Sequence, residues 1–242
     1  MVRFFVAWLV LLIGSAAAQE RVDLPSRPGA TEPIYLTTVA NPRASVILFP
    51  GGIGLVAKVR ANFLLRVAPR FVAAGMTVAV FDSPSDHPNG IGPPFRVTPQ
   101  HAADIAAAVA LLKSRSPAPV WLIGTSNGSI SAAEGAATVG PPKVAGVVLT
   151  SSVWEGGMLS VPLGQISVPV LVVHNRDDSC RVSPYGETAS SMALMRQAPT
   201  KELLTVSGGS LRGDPCEAMS QHGYLGIEDQ VVPAIIAWIE GH

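Results

Sequence analysis

Val120-Trp121-Leu122-Ile123-Gly124-Thr125-Ser126-Asn127-Gly128 runs from an apolar, strand-like segment into an alanine-rich helical segment that continues to Thr138. Its Gly-x-Ser-x-Gly part has the residue types of a sharp strand-to-helix turn, because glycines at both ends remove the Cβ atoms that would collide with the neighbouring strand and helix. Such a turn pushes the Ser126 hydroxyl into the open. It also sets the hydroxyl at a helix N-terminus, where unpaired N–H groups and the helix dipole favour developing negative charge. The stretch therefore reads as a nucleophile elbow. The five-residue pattern arises by chance in chains rich in glycine and serine, so the rest of the sequence has to supply its context.

Outward from the elbow, apolar runs alternate with helical patterns in the manner of βαβ units. Strands are expected at Ile34 to Val39, Ser45 to Phe49, Thr77 to Phe81, Val144 to Thr150, Val168 to His174 and Lys201 to Val206. Helices are expected from about Arg60 to Ala74, from Pro99 with Thr98 as its cap, from Pro184 to Arg196 and from Ile227 to Glu240. A loop rich in proline and glycine spans Ser83 to Val97. The 242 residues, 48% hydrophobic and 14% charged, suit one α/β domain with a sizeable core. That domain is placed at residues 34–242. Residues 19–33, with Pro25, Pro28, Gly29 and Pro33, are expected to form an extended lead-in wrapped around it.

Met1-Val2-Arg3 precedes an apolar run from Phe4 to Ile13 and then Gly14-Ser15-Ala16-Ala17-Ala18, the pattern of a signal peptide over residues 1–18 cleaved before Gln19. The apolar run is short for a bilayer crossing, so no stable membrane anchor is expected after cleavage and the protein is expected to be exported, periplasmic or secreted. In an oxidising compartment Cys180 and Cys216, the only two cysteines, are expected to be joined. Lys plus Arg and Asp plus Glu each total 17, which leaves no basic excess to neutralise a phosphate backbone. Nucleic acid is not an expected partner on that ground.

A serine hydroxyl attacks a carbonyl only when a base takes its proton, and the base needs a partner to hold its tautomer. Asp178 lies in His174-Asn175-Arg176-Asp177-Asp178, just past an apolar strand, and is the expected acid in preference to its neighbour Asp177. Of five histidines, His87 and His101 precede Ser126, His174 ends a strand and His242 is terminal, which leaves His222 as the base. Cys180 and Cys216 flank these two positions, so their bond would clamp the acid loop to the base loop. The oxyanion formed in such an attack needs two donors. The backbone N–H of Asn127 supplies one; the second is expected from Gly52 or Ile53 in Pro50-Gly51-Gly52-Ile53-Gly54. No Lys-Ser/Thr follows this loop, so a phosphate cradle is not its reading.

With these residues in place, the chain resembles the α/β-hydrolase family from Thr31 to His242. The resemblance rests on the elbow at Gly124 to Gly128 and on the chain order Ser126, Asp178, His222. It implies an α/β-hydrolase fold, a mostly parallel central sheet with helices on both faces, with a serine hydrolase activity and no metal or organic cofactor. Asp178, four residues after His174, also matches that family's His-Gly-x-x-Asp spacing. The family's common His-Gly before the oxyanion loop is replaced by Pro50-Gly51, which leaves the second donor open between Gly52 and Ile53. The segment between Thr150 and Val168 is short, with little room for a cap, so an open site is expected. Trp154 is expected either at an acyl-pocket wall, binding substrate, or in the core. A small-molecule carboxylic ester is the expected substrate. A peptidase, a thioesterase or a binding protein on a hydrolase scaffold are the alternatives.

Overall fold

The computed structural model describes residues 18–154 and 156–242. The expected leader, residues 1–18, lies outside the described residues except for Ala18. The chain order is β1 (Gln19–Arg27), β2 (Ala30–Thr37), β3 (Ala44–Phe49), α1 (Phe63–Ala73), β4 (Met76–Phe81), α2 (Pro93–Arg96) and α3 (Pro99–Arg115). It continues with β5 (Val120–Thr125), α4 (Asn127–Thr138), β6 (Gly146–Thr150), β7 (Val170–Asn175), α5 (Thr188–Ala193), β8 (Lys201–Val206) and α6 (Glu228–Gly241). The eight strands form one sheet in the order β1-β2-β4-β3-β5-β6-β7-β8. β1 and β2 pair antiparallel, β2 meets β4 antiparallel, and the pairs from β4 through β8 are parallel.

Strand side chains alternate between two cores, as a two-residue period requires. Ile47 and Phe49 of β3, Leu122 of β5, Val147 and Leu149 of β6 and Val172 of β7 face the layer holding Ile105 and Leu112 of α3 and Ile130 and Ala133 of α4. Val46, Leu48, Ile123, Val148 and Val173 face the opposite layer, with Phe63, Val67 and Phe71 of α1 and Val231 and Ile235 of α6. Because both faces are covered, the inner strands are continuous apolar runs rather than alternating ones.

The lead-in expected at residues 19–33 is a correction. Gln19–Arg27 and Ala30–Thr37 form a hairpin that extends the sheet, turning at Pro28-Gly29 with Gly29 at φ +74°. Proline argues against a central strand but is tolerated at an edge or beside an irregularity. β1 is the edge strand, and its register shifts between Pro25 and Arg27. Val22 and Leu24 of β1 pack on the core, while Arg27 ties the hairpin to α3 and to the loop after β4 through ion pairs of 2.8 Å with Asp104 and with Asp86.

Two helices are shorter than their sequence patterns. α1 starts at Phe63 because Asn62 caps it, its Oδ1 accepting from Leu64 N at 3.0 Å. Only Thr188–Ala193 is α-helical within the expected Pro184 to Arg196, preceded by a 3-10 turn at Tyr185–Glu187.

Candidate active site

Ser126 stands between β5 and α4 with φ 52° and ψ −129°, a combination that a residue with a Cβ adopts only when its surroundings impose it. The imposition is visible. Ser126 N donates to Thr150 O on β6 at 3.1 Å, and Ser126 O accepts from Ser129 N at 2.9 Å and Ser129 Oγ at 2.6 Å. A Cβ on Gly124 would strike the Gly128 carbonyl, and one on Gly128 would strike the Phe49 carbonyl. The turn is therefore tight enough to require both glycines.

Asp178 follows β7 and is buried. Its Oδ1 accepts from Cys180 N at 2.9 Å and its Oδ2 lies 2.8 Å from His222 Nδ1. Asp177 is exposed and turns the other way, accepting from Gly208 N at 2.6 Å. His222 sits in a 3-10 turn, Gln221–Gly223, whose capping residue Ser220 accepts from His222 N at 3.1 Å. The His222 carbonyl accepts from Ser151 Oγ at 2.7 Å. Next to it, the buried Tyr224 hydroxyl donates to Val173 O at 2.8 Å and accepts from Ser151 N at 2.9 Å. Burial pushes that phenol above its usual range, so it stays a neutral donor. Arg66 of α1 holds the same loop from outside, donating to Gly223 O at 2.8 Å and pairing with Glu228 at 2.7 Å. With Nδ1 engaged by Asp178, His222 Nε2 is buried and has no partner among the described residues.

Ser126, Asn127 and His222 line one cavity of about 260 Å³ with Gly51, Gly52 and Asn62. Lys58 and Glu217 stand at the same cavity, both exposed. A wider hollow of about 850 Å³, walled by Pro93, Pro94, Val97, Val153 and Gly157, adjoins it and shares Asn127 and Val182. Between Thr150 and Val170 the described backbone holds two short 3-10 turns, Gly156–Ser160 and Leu163–Gln165. Among the described residues no α-helix stands there.

Gly52 and Ile53 are told apart by the turn they share. Gly51 O accepts from Gly54 N at 3.1 Å and Gly52 O accepts from Asn127 Nδ2 at 3.1 Å. The N–H of a trans peptide points opposite to its carbonyl, so the Ile53 N–H faces away from Asn127. Ile53 is 43% exposed and lies outside the cavity lining. Gly52 therefore borders the cavity and Ile53 does not.

Trp154 as a substrate wall is a second correction. It is 1% exposed, belongs to the core and is not among the cavity-lining residues. Its Nε1 donates to Thr188 Oγ1 at 3.2 Å, and that hydroxyl lies 3.2 Å from His174 Nδ1. His174 Nε2 in turn donates to Ser183 O at 3.0 Å, an assignment inferred from the network. Burial lowers the His174 pKa and keeps the ring neutral. Trp154 thus braces the loop that carries Asp178.

Cys180 and Cys216 are disulfide-bonded, with Cα atoms 4.5 Å apart, and Cys216 lines the cavity. The bond joins the loop after β7 to the loop between β8 and the His222 turn. Sequence reasoning missed Asn62, Arg66, Ser151 and Tyr224. Asn62 carries the one local signal, a helix-capping residue type before an apolar helix. The others act through contacts between segments distant in sequence.

No protein-family model matches the chain, and no curated protein matches it in sequence. Its shape has solved counterparts. The esterase Pf2001 of Pyrococcus furiosus superposes with a TM-score of 0.67 at 14% identity, over 99% of this chain and 94% of that one. A cold-adapted esterase from an Arctic intertidal metagenomic library gives 0.66 at 17% identity, covering 92% of each chain. Est1E from Butyrivibrio proteoclasticus gives 0.65 at 16% identity, over 93% of this chain and 98% of that one. Identities this low carry the architecture alone. Sheet order, two-sided helix cover, the turn at Ser126 and these superpositions together establish that the chain has the α/β-hydrolase fold.

Proposed function

We propose that the protein is an exported serine hydrolase that cleaves carboxylic esters of small molecules through an acyl-enzyme. The observation that carries this reading is the state of His222. One ring nitrogen is held by Asp178 at 2.8 Å and the other is free in a cavity shared with Ser126. Three solved structures of the same shape described as esterases support the choice of an ester. The Cys180–Cys216 bond supports an oxidising compartment.

In this mechanism Ser126 Oγ attacks the ester carbonyl carbon while His222 Nε2 takes the hydroxyl proton. The Asp178 carboxylate stabilises the imidazolium. The carbonyl oxygen becomes an anion held by the N–H groups of Asn127 and Gly52, the first of them at the N-terminus of α4. Collapse of the tetrahedral species breaks the bond to the alcohol, which leaves with the proton from His222. Water then repeats the sequence on the acyl-enzyme, restoring Ser126 and releasing the acid. No step calls on a metal or organic cofactor.

A fluorophosphonate probe followed by peptide mass mapping tests the reading. Ser126 should carry the label, and Ser126→Ala should abolish both labelling and hydrolysis of a p-nitrophenyl ester while leaving the fold intact. Label on another residue, or none with every ester inert, overturns the proposal.

A further inference from the structure

Arg96, the last residue of α2, is 1% exposed and forms no ion pair among the described residues. A buried guanidinium without a counter-charge is expensive, by several kcal/mol even after relaxation, so the fold bears a substantial cost to keep it there. Burial pushes its pKa down to about 9, still above neutrality, so the charge persists at pH 7.

Its hydrogen bonds show where that charge acts. Nη1 donates to Ser131 Oγ on α4 at 2.7 Å, and Nη2 reaches the carbonyls of Pro50 at 3.4 Å and Gly52 at 3.3 Å. Ser131 Oγ is also 2.9 Å from Nε2 of the buried His101, so the fork is braced from behind. The two carbonyls belong to the peptides on either side of the Gly51–Gly52 peptide. Gly52 of that central peptide lines the Ser126 cavity, and the peptide's own carbonyl, Gly51 O, is occupied by Gly54 N. Gly54 at φ +69° leaves room for the guanidinium, since a Cβ there would lie 2.7 Å from Nη2. One cation therefore ties both flanks of the oxyanion loop to the helix that starts at Ser126.

We propose that Arg96 is a positioning residue for acyl transfer: it fixes the Pro50–Gly54 loop with the Gly52 N–H directed at the developing oxyanion, and its buried positive charge favours that anion. The inference rests on the serine hydrolase reading above. It assigns to Arg96 the positioning of a loop in which Pro50 stands where the family commonly has histidine. A charge so placed acts on the tetrahedral species more than on the neutral ester, so it should raise kcat and leave KM nearly alone.

The test uses Arg96→Met and Arg96→Lys in the full-length protein. Rates on p-nitrophenyl acetate are divided by the fraction of Ser126 that labels with fluorophosphonate, so loss of folded sites does not count as loss of rate. We expect kcat per labelled site to fall roughly tenfold or more in Arg96→Met, with KM changed less than about twofold, and Arg96→Lys to recover part of the loss. Binding of a trifluoromethyl ketone, which forms an anionic adduct on the serine, should weaken in proportion to kcat/KM. If Arg96→Met does not fold, Arg96→Lys decides alone, since it keeps the charge but not the two-carbonyl fork. Wild-type rate per labelled site and unchanged ketone affinity in the folded variants would overturn the role of Arg96 while leaving the hydrolase intact. A wild-type protein that neither labels nor turns over an ester overturns both.

Discussion

Cys180→Ser together with Cys216→Ser is the perturbation whose effects on stability and on chemistry can be separated. The cysteines are 36 residues apart in sequence. In the chain-entropy treatment, closing a loop of that length removes about 13 cal/mol/K from the unfolded ensemble, or ~4 kcal/mol at 25 °C. For a domain of this size each kcal/mol shifts Tm by about 2–4 °C, so the double variant should melt at least ~8 °C lower. The position of the bond adds a second effect. Cys180 N donates to Asp178 Oδ1, and Cys216 lies at the cavity that holds His222. Without the bond, the loops carrying acid and base lose a direct tie. A base misplaced by a fraction of an ångström costs rate, so kcat per labelled Ser126 should fall about tenfold while KM moves little.

The assay is scanning calorimetry beside steady-state hydrolysis well below either Tm, with intact mass confirming the bond in the parent. A Tm drop under about 2 °C would refute the entropy reasoning, because it would mean that the unfolded chain gains no freedom from the cut. A full Tm drop with unchanged kcat would refute the clamp and leave only a staple. Arg66, Ser151 and Tyr224 hold the His222 loop independently of sulfur. For that reason the kcat effect is expected to stay well short of the loss from removing His222 itself.

Asp178→Asn should lower kcat by about three to four powers of ten, as a wrong imidazole tautomer does, whereas Asp177→Asn, which loses only charge on the acceptor of Gly208 N, should change it less than about threefold. The reverse ranking of these two variants under identical assay would remove Asp178 from the mechanism. Trp154→Phe deletes the donor to Thr188 and should destabilise by ~1–2 kcal/mol in urea titration without altering KM for any acyl chain; a chain-length-dependent KM would return Trp154 to the substrate wall. Burial, then the carboxylates of Asp104 and Asp82, hold the Glu32 carboxyl well above its usual range, so folded Glu32 keeps its proton where the unfolded chain has lost it. Stability is therefore full below the unfolded value near 4.5 and declines as pH rises above it, and the Tm advantage of Glu32→Gln over wild type should grow between pH 4 and pH 8. An advantage independent of pH would show that Glu32 ionises in the native state.

The parts legible in the sequence are those whose cause is local. A strand buried on both faces must be apolar throughout, so β3, β5, β6 and β7 stand out as runs. A turn without room for Cβ atoms must carry glycine, so Gly124 and Gly128 mark Ser126. The misreadings share a different cause. β1 and the first half of β2 were hidden because Pro25 and Pro33 look like breakers until one knows that their strands lie toward the antiparallel end of the sheet. Trp154 could equally have lined a pocket or filled a core, since an indole carries the same apolar area to either place. What decided its place was a hydroxyl 34 residues away that its N–H could reach. Arg96 was less legible still. A charged residue after Pro93-Pro94-Phe95 in a surface loop reads as solvated, and its burial follows only once the loop of Pro50 and Gly52 and Ser131 of α4 converge on it. The proposed nucleophile, acid and base call for chemistry that few residue types can perform, which is why candidates for them can be picked from the sequence one by one. Residues that hold this machinery in place are set by geometry among distant segments, and many residue types can meet such a demand, so only the folded chain reveals which of them were used.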